Sequence, residues 1–310
     1  MRNSKWPVFP GRYVPAVSVF FIFLFLVPCS SQAREFTDVT GRKVQVPEQV
    51  ERVVSLAPSI TELVYALDRG DIIKGTTQFS DHPPQAADLP RVGSYARPDL
   101  ERILSLAPDL VLAIRDGNPR HTIERMESLN IPVFVVDSGN IQEIMQSIQA
   151  LGEVLGALDK ADELVRDMRE RMDHVQKQAA KKDSRPAILF QVDSDPVIGA
   201  GNSTFIHEMI HLAGGRNVLA DMERYPRLGW EDILRMDPEV VIIASMAGGR
   251  SSENLLQSWH RWPQLRAVQN SRVHVVDADI FERPTHRLVE GLERLAQIIH
   301  PELFSEDHGH

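Results

Sequence analysis

Apolar residues along this chain fall in short unbroken runs, and the stretches between those runs repeat with helical spacing. The runs are RVVSLAP (52–58), LVLAIR (110–115), IPVFVVD (131–137), RPAILFQV (185–192), VVIIAS (240–245) and SRVHVVD (271–277). Each is strand-length and nearly all apolar, as expected of a strand covered on both faces. Between them, SITELVYALD (59–68), RPDLERILSLAPD (97–109), NPRHTIERMESLN (118–130), NIQEIMQSIQALGEVLG (140–156), WEDILRMDP (230–238) and RPTHRLVEGLERLAQIIHP (283–301) read as helices. Strand and helix alternate in both halves, which predicts parallel sheets built from βαβ units. FTDVTGRKVQVP (36–47) alternates instead and predicts a hairpin around Gly41-Arg42. Ser59, with Glu62 three residues on, predicts a capping box at the start of its helix.

One stretch breaks the alternation. DKADELVRDMRERMDHVQKQAAKK (159–182) has no Gly and no Pro, and Leu164, Met168, Met172 and Val175 recur at steps of three or four. It predicts a single helix of about six turns, roughly 35 Å long. The predicted organisation is therefore an N-terminal α/β lobe (34–158), a linking helix (159–182) and a C-terminal α/β lobe (183–304), followed by a disordered tail (305–310).

The two lobes echo one another. ERILSLAPDLVL (101–112) and EDILRMDPEVVI (231–242) both open a helix with Glu, follow with Ile-Leu, and end it at Pro before an acidic residue and an apolar strand. A shared repeat implies lobes of related fold, with Glu101 and Glu231 in equivalent first turns, where a carboxylate suits the exposed N–H groups.

The first 33 residues stand apart. Arg2, Lys5 and Arg12 precede VPAVSVFFIFLFLVP, an apolar run of signal-peptide length, and SQA places small residues before a cleavage point after Ala33. The expectation is an exported, periplasmic protein. Cys29 is the single cysteine; it is either discarded with the signal or acylated as a lipoprotein anchor. The whole chain has 310 residues, 43% hydrophobic and 25% charged, with a net charge of −9. An acidic chain argues against nucleic acid as a partner. Aromatics are only 6%, so each one near a cleft carries weight.

RVVSLAPSITEL, TTQFSDHPPQA, RPDLERILSLAPDLVLAIRDGN, GWEDILRMDPEVVII and DADIFERPTHR together resemble the class III substrate-binding proteins of ABC importers, and within that class the periplasmic vitamin B12-binding (BtuF-type) family. The resemblance implies two Rossmann-like lobes with parallel sheets joined by a single long α-helix, a cleft that barely closes, and no enzymatic activity. It implies a cobalamin or related corrinoid as ligand, with haem or a ferric siderophore as the alternative on the same scaffold. By position it places Ser59, Phe79, Tyr95, Arg115, Tyr225, Asp279 and Arg283 in the ligand cleft. It makes Glu101 and Glu231 the residues that dock a BtuCD-like permease and ATPase complex, the carrier itself being a monomer. A corrin is a broad apolar plate fringed with amides, which aromatic walls and a few polar groups suit. Ile114 and Ile198 stand where the family has aromatics, which leaves room for a smaller corrinoid or another flat metallo-macrocycle. His82 falls in the same loop as Phe79.

His207-Glu208-Met209-Ile210-His211 spells the HExxH of zinc peptidases. Zinc there needs a third ligand, and Asn217, at the fitting distance, offers only an amide. The segment also reads as the first helix of the second lobe, with Phe205, Met209, Ile210 and Leu212 inward and Gly214-Gly215 as its cap. The packing reading is preferred; a secreted zinc peptidase remains a remote alternative, with His207 and His211 at most an adventitious metal site.

Overall fold

The computed structural model describes residues 33–194, 196–244 and 252–304; the apolar leader with Cys29 and the tail 305–310 lie outside the described residues. The chain starts as a hairpin, β1 (Ala33–Thr37) antiparallel to β2 (Lys43–Pro47), turning at Gly41 with φ +80°. Asp38 holds that turn by accepting from the N–H groups of Thr40 and Arg42.

The N-terminal half then builds a four-stranded parallel sheet. Its strands are β3 (Val53–Ser55), β4 (Ile73–Gly75), β7 (Leu110–Ile114) and β8 (Val133–Val136), in the order β4-β3-β7-β8. A small hairpin, β5 (Gly93–Ser94) and β6 (Arg97–Pro98), sits between β4 and β7. The helices are α1 (Pro58–Ala66), α2 (Leu100–Ser105), α3 (Arg120–Ser128) and α4 (Ile141–Val154). Strands β3 and β8 are buried throughout, because helices cover both faces.

The linking helix, α5, runs Leu158–Ala179, a residue earlier at its start and three shorter at its end than the sequence pattern gave. It packs along its length. Ala161, Val165, Met168, Met172, Val175 and Ala179 are buried, with Leu164 at the margin, and α5 lies against α4 on one side and the C-terminal half on the other. One apolar core therefore runs from the first sheet through α5 into the second.

The C-terminal half has β9 (Ala187–Ser194), β10 (Val197–Gly199), β11 (Arg216–Asn217), β12 (Arg227–Leu228), β13 (Val240–Ile243) and β14 (Val273–Val275). The main order is β12-β10-β9-β13-β14, with β11 beside β9; β9, β11, β13 and β14 run parallel, and β10 is antiparallel to both of its neighbours, β9 and β12. Its helices are α6 (Phe205–Leu212), α7 (Trp230–Met236), α8 (Ser252–His260), α9 (Arg266–Gln269), α10 (Ala278–Glu282), α11 (Leu288–Ile299) and α12 (Pro301–Phe304). Arg171 of α5 forks onto Glu293 of α11 at 2.8 and 2.7 Å, tying the linker to this half.

The sequence echo is a structural one. Helices α2 and α7 both stop where a residue takes positive φ just before proline: Ala107 at +45° and Asp237 at +43°. A residue before proline is disfavoured in the α region, so the helix ends there. The acidic residue that follows then anchors the neighbouring strand. Asp109 accepts from the N–H of Arg52, and Glu239 from that of Ala187.

Candidate functional site

Parallel sheets place their working loops beyond the carboxyl ends of the strands. In this chain those ends carry Ser59 after β3, Thr76–Asp81 after β4, Arg115–Asn118 after β7, Asp193 at the end of β9 and Asp277–Arg283 after β14. Contacts between these segments bring the carboxyl ends of the two sheets together.

Phe79 is displayed on a braced turn. Ser80 N–H donates to Thr77 O, the two hydroxyls bond at 2.8 Å, and Arg91 donates to the carbonyls of both residues. The turn is rigid while the ring stays 52% exposed. Tyr95 lies half-buried in the β5–β6 turn. Asn118 holds that turn: its amide donates to Tyr95 O (2.8 Å) and Leu56 O (3.0 Å) and accepts from Ile114 N–H (2.8 Å). Gly117 leaves room for this, since a Cβ there would collide with Ile114 and touch Tyr95. Arg115 is bound by Asp137 at 2.5 Å.

From the other half, Tyr225 is 47% exposed, yet burial on its phenol side, reinforced by the charge of Glu282, pushes its pKa to about 12. Asp279 pairs with Arg283 at 2.8 Å; burial still holds its carboxyl above the usual carboxylate range, against the pull of Arg283. Glu282 ends α10 with both carboxyl oxygens buried and unbonded, and burial, then Asp193 and Asp279, push it up to about 9.

Arg283 is the hub of the junction. It donates to Glu62 (2.7 Å), Asp81 (2.8 Å) and the carbonyl of Phe79 (3.4 Å), besides pairing with Asp279, and is only 12% exposed. Arg287 adds a second bond to Glu62 at 3.3 Å. Further along, Arg224, at φ +56°, meets Asp116 at 2.8 Å. Glu62 thus does not close a capping box. The N-cap of α1 is Ala57, without a side-chain bond, and Ser59 is buried one residue past the helix-starting Pro58. Pro58 has no N–H to be capped, and Glu62 is committed to two arginines from the far half.

The HExxH residues are also committed. Glu208 accepts from Ile141 N–H at 2.8 Å, so it caps the start of α4 rather than standing as a base between histidines. Asn217 donates to Ala200 O while its carbonyl accepts from Leu219 N–H, so its amide orientation is set and it offers a donor to His207 Nδ1 at 3.1 Å. His207 is thereby a neutral ring with its proton on Nε2, and burial and then the neighbouring His211 lower its pKa. The rings pack edge-on at 5.7 Å. Among the described residues no cluster of three His, Cys, Asp or Glu side chains is arranged to hold a metal. The motif is one face of a packed helix, with Gly214 at φ +80° closing it.

Glu101 and Glu231 are exposed, each the second residue of its short helix, α2 and α7. Ile114 and Ile198 are half-buried, and His82 is half-buried in the loop after Phe79. Sequence reasoning missed Glu62, Asp81, Asp116, Asn118, Glu282 and Arg287. All six lie inside the stretches that carried the resemblance; nothing in their local pattern says which partner each would meet.

A parallel sheet and a mostly parallel one that meet at the carboxyl ends of their parallel strands and are bridged by one long helix define a bilobal substrate-binding protein. The chain belongs to the periplasmic binding protein family, which it matches over residues 53–280. It is 34% identical over 248 residues to the vitamin B12-binding protein of Photorhabdus laumondii, covering 79% of this chain and 86% of the relative. The solved structure of the periplasmic vitamin B12 binding protein BtuF of Vibrio cholerae matches with a TM-score of 0.72 at 30% identity, over 81% of this chain and 97% of that one. The periplasmic heme-binding protein RhuT of Roseiflexus sp. RS-1 shares the fold, with a TM-score of 0.73 at 24% identity, over 82% and 99% of the two chains. The chain is a periplasmic carrier that serves an ABC importer with its permease and ATPase, and not an enzyme. Among the described residues no helix is long and apolar enough to cross a membrane.

Proposed function

We propose that the chain captures cobalamin or a related corrinoid in the periplasm and delivers it to a BtuCD-like permease as a monomeric carrier. The observation that carries the reading is the charge state of the junction. Arg115, Arg224, Arg283 and Arg287 are each already engaged by a carboxylate. Asp193 and Asp279 place further carboxylates beside Glu282, which neighbours Tyr225. A haem brings two propionates and most ferric siderophores are anionic, so both would look for free arginines. A corrin brings apolar faces and neutral amides, which suit Phe79, Tyr95 and Tyr225 above a floor of paired charges. Ser59, Arg115, Asp279 and Arg283 border the same junction.

In this reading lobes 34–158 and 183–304 flank the linking helix, and Glu101 and Glu231 meet cationic groups on the permease. The matched geometry of α2 and α7 supports such a pair, because two equivalent lobes fit a partner with near two-fold symmetry. The deciding experiment is a parallel spectral titration with cyanocobalamin, cobinamide and haemin. The expected result is one corrinoid per chain and no haemin; saturable haemin binding without corrinoid binding overturns the reading.

A further inference from the structure

A groove of about 780 Å³ runs beside the linking helix and shares no residue with the junction loops. Its floor is apolar. Ile141 and Met145 come from α4, Met172 from α5 and Leu212 from α6, so both halves and the helix between them line it. His207 and His211, one turn apart on α6, form part of its wall, and the exposed Arg169 and Arg185 also line it.

The two histidines present donors here. Asn217, its amide fixed by Ala200 O and Leu219 N–H, donates to Nδ1 of His207 at 3.1 Å. Arg185, which has only donors to offer, meets Nδ1 of His211 at 3.4 Å. A neutral imidazole has one lone pair, so both rings use theirs on these donors and carry their proton on Nε2. Neither Nε2 has a protein partner; His211 is exposed, and the His207 nitrogen is open to solvent. Zinc needs the lone pair that each ring has already engaged. An anion needs the N–H that each ring leaves unpaired.

The charges around the groove favour the anion. Asp173 is paired with Lys177 at 2.5 Å, Glu208 accepts from Ile141 N–H, and Lys182 pairs with Glu302 at 3.2 Å. Among the described residues neither Arg169 nor Arg185 has a carboxylate partner. Two such guanidinium groups and two imidazole N–H groups beside an apolar floor are complementary to one carboxylate carried on an alkyl chain.

We propose that this groove is a second binding site, for a small amphiphilic carboxylate of the fatty-acid class. Arg185 and the Nε2–H groups of His207 and His211 take the carboxylate, and the alkyl chain lies on Met145, Met172 and Leu212. Such an occupant touches both halves and the helix between them, so it stabilises the folded chain by binding it and not the unfolded one. The site is independent of what fills the junction.

The test is a calorimetric titration of the whole chain with octanoate, octylamine and inorganic phosphate. One octanoate per chain is expected. Octylamine, which lacks the anion, and phosphate, which lacks the alkyl chain, should each bind about tenfold or more weakly. Arg185→Ala, at an exposed position, and His207→Phe, which keeps a flat ring without the N–H, should each weaken octanoate about tenfold, with circular dichroism confirming their fold. Nitrogen-15 spectra of the wild type should show the His207 proton on Nε2. No saturable octanoate binding, octylamine bound as tightly as octanoate, or either variant with wild-type affinity overturns the inference. So does a His207 proton on Nδ1, or saturable zinc binding that His207→Phe abolishes, since either frees the lone pair here assigned to Asn217.

Discussion

Glu62 and Arg283 lie 221 residues apart in the chain and 2.7 Å apart in the fold. The Glu62 side chain is wholly buried, and Arg287 shares it. Removing Glu62 takes the carboxylate from Arg287, while Arg283 keeps Asp81 and Asp279, so Glu62→Ala is expected to cost about 3 kcal/mol, the low end for a broken buried pair. Urea denaturation checks this. A loss below about 1 kcal/mol means that the pair does not hold the halves together.

Asp116 and Arg224 also bridge the halves, but their side chains are 47% and 64% exposed. Solvent screens such a pair. A double-mutant cycle with Asp116→Ala and Arg224→Ala should give a coupling below about 1 kcal/mol. A coupling several-fold larger assigns this contact a clasping role equal to that of Arg283.

Phe79 and Tyr225 are exposed apolar surface held on ordered backbone. Replacing either with Ala should move stability by less than about 0.5 kcal/mol. Each should weaken corrinoid binding by about tenfold or more, the worth of a buried aromatic face. Isothermal titration and thermal melts separate the two effects; unchanged affinity in the double variant removes both rings from the site.

Glu282 should make stability fall with rising pH. Its folded pKa, about 9, lies above the ordinary value of 4.5. Between those values the folded chain holds a proton that the unfolded chain has released. The stabilisation is therefore full below about 4.5 and is lost as pH rises toward 9. Glu282→Gln removes this penalty, so at about pH 8 the unliganded variant should be more stable than wild type by about 2–4 kcal/mol, the gap closing near pH 4. Equal stability at both pH values contradicts the raised pKa.

Glu101 and Glu231 are exposed, each in the first turn of its helix. The double variant Glu101→Arg, Glu231→Arg should bind ligand as wild type does and fail in uptake by cells that depend on this carrier. Normal uptake by that variant refutes the docking role.

Much of the fold was legible because it rests on local periodicity. Runs such as LVLAIR and VVIIAS could only be strands covered on both faces, and they are β7 and β13. The unbroken spacing through Met168, Met172 and Val175 became α5. The echo around Glu101 and Glu231 returned as two helices that end at the same backbone turn. Less of the site was legible. Phe79 and Tyr225 do stand out as exposed rings. Ser59 was expected as a helix cap and Glu62 as its partner, and neither acts so. Within HExxH, Glu208 accepts from the N–H of Ile141 at the start of α4, a partner that no local pattern names.

The sequence alone determined where the central strands and most helices form, that those strands pair in parallel, and that one long helix joins the halves, since each depends on neighbours a few residues away; the short strands β10, β11 and β12, and the antiparallel pairing of β10, came only with the tertiary structure. Only the tertiary structure decided what each charged group does. Glu62 serves a pair of arginines, Glu208 serves the first N–H of α4, and Glu282 is left without a partner. All are glutamates, alike in their letter. Their roles differ because a carboxyl group is governed by burial and by the charges brought beside it, and those come from distant parts of the chain.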